Sequence, residues 1–111
     1  MKNSLHEKIE VIESGYEFLL AYAAQGRESD KGLEVRDTLA NMSAAAADIA
    51  KQMDKGDFAE VVQEDARKSR AAISLVLAQK SISSELVDNL NVSIHLRALL
   101  TDLFLLSETS R

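Results

Sequence analysis

No proline interrupts the 111 residues of this chain, and only four positions are glycine. Proline breaks helices, and turns ordinarily draw on both residues. A chain so poor in both is expected to be helical throughout, with few and short links between its helices.

The apolar residues repeat accordingly. Leu5, Ile9, Ile12, Tyr16, Leu19 and Ala23 form one helical stripe, and Gly26 is a natural stop behind it. Ser4 with Glu7 reads as a capping box in front of that stripe. Val35, Leu39, Met42, Ala46, Ile49 and Met53 form the next, with Asp30 as its expected N-cap. Gly56 is expected to close it, and Asp57 with Glu60 to box the start of a third stripe through Phe58, Val62, Ala66, Ile73, Val76 and Leu77. Ser83 is the expected N-cap of the last helix. The run Ser43–Asp48 carries four alanines, which favour helix and permit close approach of a neighbour. The expected fold class is therefore all-α: one domain over 1–111, an antiparallel up-down-up-down four-helix bundle with helices over about 5–25, 31–54, 58–79 and 84–107. Two long helical hairpins that complete a core only as a dimer are the alternative.

Composition narrows the functional classes. The hydrophobic share of 46% and charged share of 28% are those of a globular protein. Cysteine is absent, so there is no thiolate nucleophile and no Cys-ligated zinc. A net charge of −5 disfavours nucleic acid as a partner. Arg67, Lys68 and Arg70 form the one basic cluster, without aromatic neighbours, and read as a solvated face. No apolar run is long enough to span a bilayer, and the expected location is the cytoplasm.

The motifs that carry chemistry are sparse. Glu10, Glu13 and Glu17 fall within about 60° of one another on a helical wheel. With Glu34 and Asp37 they resemble the magnesium-binding motif of the all-helical MazG-type nucleotide pyrophosphohydrolases. That resemblance implies a Mg²⁺ ion held by Glu10, Glu13, Glu34 and Asp37 against a triphosphate. On the wheel, however, Glu34 and Asp37 lie about 160–220° from Leu39, the middle of their helix's core stripe, so the two pairs are not expected to converge. His95 is followed by Ala98 and Leu99 where a histidine phosphotransfer domain has Lys and Gly. Neither histidine follows a Glu at the spacing that di-iron bundles use. No cofactor and no catalytic residue is expected, and the chain reads as non-enzymatic, with the pyrophosphohydrolase as the alternative.

Apolar surface exceeds what one bundle core requires. Val11, Phe18 and Tyr22 make a second stripe on the first helix. On a single wheel drawn through 84–107, Val92, Leu96, Leu99, Leu103 and Leu106 lie almost opposite Leu90. These five, with Phe18 and Tyr22, are the expected interface of a homodimer or higher oligomer. An amphipathic helix of another protein and an apolar ligand are the other occupants considered. Arg97 falls near the Leu90 direction on that wheel, so it is expected to be buried and paired with Asp65. The sequence thus predicts a helical interaction protein: an adaptor, accessory subunit or small regulator.

Overall fold

A computed structural model describes residues 2–31, 33–54 and 56–109. Among them are five helices and no strand: α1 (Lys2–Ala23), α2 (Val35–Gln52), α3 (Asp57–Leu77), α4 (Ser84–Asn91) and α5 (Ile94–Thr109). α2 packs between α1 and α3, α4 lies chiefly on α1, and α5 lies chiefly on α3. The particle measures 42 × 22 × 18 Å. The expected stripes supply most of its core: Ile9, Ile12 and Leu19; Val35, Leu39, Met42 and Ile49; Val62, Ala66 and Ile73. Phe58, expected in that core, is partly exposed.

Several expected caps fall elsewhere. α1 already runs through Ser4, whose Oγ accepts from Gln52 Nε2 at 3.4 Å, so Ser4 and Glu7 are not a box at its start. α2 begins at Val35, four residues after its expected first residue, and Asp30 does not cap it. α2 ends at Gln52, and Gly56 is the N-cap of α3 with φ 134°, a conformation open chiefly to glycine. Asp57 and Glu60 lie in the first turn of α3, where their charge suits the helix dipole, but the N-cap position is held by Gly56 and not by Asp57. Ser83 does cap α4, its Oγ accepting from Leu86 N at 3.0 Å.

The largest departure is the last helix, which is two. The Ser93 N–H bonds back to the Leu90 carbonyl at 3.1 Å, a tighter turn than an α-helix makes. Ser93 Oγ then accepts from Leu96 N at 3.4 Å, and Ser93 O accepts from Arg97 N at 3.4 Å, which starts a new helix. α4 and α5 meet at 54°, and no single helix among the described residues is long and apolar enough to cross a membrane.

Candidate functional site

The bend decides which side of α5 meets the core. Leu96, Leu99 and Leu103 are 1%, 1% and 0% exposed, packed inside this one chain. The expectation that they form an outer interface is thereby corrected. A wheel drawn through 84–107 carries one phase through the break, whereas the break rotates α5 so that those leucines turn inward. Leu106 is half-buried against the same core, and of the five expected interface residues only Val92 is largely exposed. Tyr22, also expected outside, is 2% exposed, and Phe18 is partly exposed and stacked on it with ring centroids 6.5 Å apart.

The outer side of α5 carries other residues. Ile94 is 73% exposed, and Phe104 and Leu105 are half-exposed. Arg97 is exposed as well and forms no ion pair among the described residues, so the expected buried pair with Asp65 is also corrected. On the wheel of α5 alone, Arg97 shares an outer arc with Ile94, Thr101, Phe104 and Leu105. Beside this arc, between α5 and α1, lies an open cavity of about 210 Å³ lined by Glu13, Tyr16, Glu17, Leu100 and Phe104. Neither Glu13 nor Glu17 forms an ion pair among the described residues.

Asp65 instead meets a second carboxyl. Asp102, on α5, is 6% exposed, and its Oδ2 has no hydrogen-bond partner among the described residues. Burial pushes the Asp102 carboxyl up to about 7, helped by a hydrogen bond with Asp65 and by the Asp65 charge. Below that value the α3–α5 seam therefore holds the Asp102 carboxyl in its protonated form. Asn91, at the end of α4, is also buried, with both amide atoms unpartnered among the described residues.

At the other end of α4 a latch joins the loop after α1 to the loop after α3. Asp30 Oδ1 accepts from Ile82 N at 2.8 Å, and Asp30 Oδ2 accepts from Arg36 Nε at 2.8 Å. The Ile82 N–H holds the Asp30 carboxyl below its usual range, with Arg36 adding to it. The Arg36 fork donates to the carbonyls of Leu77 at 3.0 Å, Gln79 at 2.7 Å and Lys80 at 3.1 Å, closing the C-terminus of α3. Tyr22 Oη donates to Ile82 O at 2.6 Å, and Ser84 Oγ donates to Tyr22 O at 2.7 Å. These contacts tie the two loops together.

The magnesium motif does not assemble. Glu10, Glu34 and Asp37 are exposed, Glu13 is half-buried beside the aromatic cavity, and no group of three or more His, Asp or Glu side chains among the described residues is placed to hold a metal ion. The basic cluster is solvated: Arg67 pairs with Glu64 of its own helix at 2.9 Å, and Arg70 Nε donates to Ser43 Oγ at 3.4 Å. Compared with protein-family models, with curated proteins and with solved structures, the chain matches none.

Proposed function

We propose that this chain is a non-enzymatic helical interaction protein, an adaptor, accessory subunit or small regulator. In this reading it is a bundle of four rods, the last one bent, that works as a homo-oligomer through the outer side of α5. The observation that supports the reading is the row Val92, Ile94, Phe104 and Leu105, which leaves one segment of a charged protein with four large apolar side chains in water. Burying a large apolar side chain fully is worth about 1.5–3 kcal/mol, and these are already part-buried. A two-fold interface of such residues therefore gains an amount comparable with the roughly 4–15 kcal/mol that association costs. The expected dimer is weak and concentration-dependent.

Sedimentation of the full chain tests this. The 12.2 kDa protein is expected to gain mass through the micromolar range, and Phe104→Asp to hold it at the monomer mass while helicity is kept. A wild-type chain that stays monomeric into the high micromolar range rejects the reading.

A further inference from the structure

The cavity between α1 and α5 has a chemistry that the apolar row lacks. Its acidic side is Glu13 and Glu17, one helical turn apart on α1, and neither is neutralised by a cation of its own chain among the described residues. Its other lining is aromatic and apolar: Tyr16, Phe104 and Leu100. Carboxylates beside aromatic rings select a planar, weakly hydrated cation, which can bond to oxygen at its edge and stack through its face. At about 210 Å³ the space suits a side-chain head group better than a cofactor.

This chain carries such a cation on the same side. Arg97 is exposed, pairs with no acid among the described residues and sits among the apolar residues of the outer arc. Arg97 and Phe104 are seven residues apart, which places them about 20° from each other on the wheel and about 10 Å apart along the helix. When α5 lies antiparallel on a copy of itself about a two-fold axis, a residue on one side of the axis meets its counterpart on the other. An axis midway between Arg97 and Phe104 brings each Arg97 to the Phe104 of the second copy, at the mouth of the second copy's acidic cavity.

We propose that the occupant of the Glu13–Glu17–Phe104 cavity is the Arg97 guanidinium of a second copy of this chain, given twice over in a two-fold dimer. This rests on the self-association proposed above and names the contact that sets its register. Apolar side chains supply area but no direction, and a charged pair repeated by symmetry supplies the direction.

The test uses the full chain and two exposed substitutions, with helicity checked by circular dichroism. Arg97→Glu and Glu17→Arg are each expected to raise the homodimer dissociation constant by roughly tenfold or more. An equimolar mixture of the two variants is expected to regain mass as a heterodimer, because each then supplies what the other has inverted. Wild-type dimerisation is expected to weaken as salt is added. If the wild type dimerises and Arg97→Glu dimerises equally well, the contact is wrong while self-association stands. A mixture no heavier than either variant alone also overturns it, as does an Arg97 that pairs with Glu17 of its own chain with no effect on mass. If the wild type is monomeric throughout, the underlying reading has failed and the contact falls with it.

Discussion

Burial and the neighbouring Asp65 act on the Asp102 carboxyl in the same direction, pushing it up to about 7. The folded chain therefore holds a proton there that the unfolded chain has already released at mildly acidic pH. Stability must fall as pH rises from the unfolded carboxyl value to about 7, because the folded state binds more protons across that window. Above it, the folded state carries two adjacent carboxylates with no cation between them among the described residues, and the destabilisation is complete. Asp102→Asn keeps the shape and removes the titration. Its melting temperature is expected to be nearly flat from about pH 5 to pH 8, while that of the wild type declines over the same range. At the upper end the variant is expected to be the more stable by about 1–3 kcal/mol, the scale of relieving an unsatisfied buried polar group. Parallel melting curves for the two proteins at every pH would show that Asp102 does not hold that proton.

At the scale of the helices, the latch between the loops after α1 and α3 is the contact that the sequence concealed. Arg36 binds three carbonyls at the end of α3 and the Asp30 carboxylate at once, which only a planar fork can do. Arg36→Lys keeps the charge and loses the fork, so it is expected to cost about 1–3 kcal/mol in denaturant unfolding. A lysine variant of wild-type stability would mean that water serves those carbonyls equally well. The Asp30 contribution is present above the unfolded carboxyl value and is lost as pH falls through the lower folded one, so this latch and the Asp102 pair respond to pH in opposite senses. In the sequence, Asp30 stands in front of a helical stripe and looks like a cap, because a local pattern cannot reveal a partner 52 residues away at Ile82. The stripes of α1, α2 and α3 are legible because each is one unbroken period. The bend after Asn91 is marked by neither proline nor glycine; its only local signal is the run Asn91, Val92 and Ser93, poor helix formers of which Ser93 is a cap type, and inside so apolar a stretch that signal is weak. With it went the phase of α5, and hence Leu96, Leu99, Leu103 and Arg97, all assigned to the wrong side. The carboxylate pair follows from that phase, so nothing in the spacing of Asp65 and Asp102 alone points to it.

For the whole molecule, the phase of α5 separates what holds one chain together from what joins it to another. Leu99 is 1% exposed and Ile94 is 73% exposed, although they lie only five residues apart on the same rod. An aspartate at Leu99 would put an unpaired charge in the core, a change comparable with the whole stability of a domain of this size, roughly 5–15 kcal/mol. An aspartate at Ile94 meets water in the monomer and should change its stability by no more than about 0.5 kcal/mol. Self-association adds a term that depends on concentration, because a species that forms only from folded chains raises the melting temperature by mass action. The wild type is therefore expected to melt at a higher temperature at high protein concentration than at low. Ile94→Asp should match the dilute wild type at every concentration, and Leu99→Asp should show no cooperative melt at any. Calorimetry across a hundredfold dilution series, roughly, distinguishes these cases, since a dimer of intermediate affinity then crosses from associated to free. An Ile94→Asp protein whose melting temperature still climbs with concentration would place the interface on another face of the particle, and a Leu99→Asp protein that melts cooperatively would return α5 to the phase of the unbroken wheel.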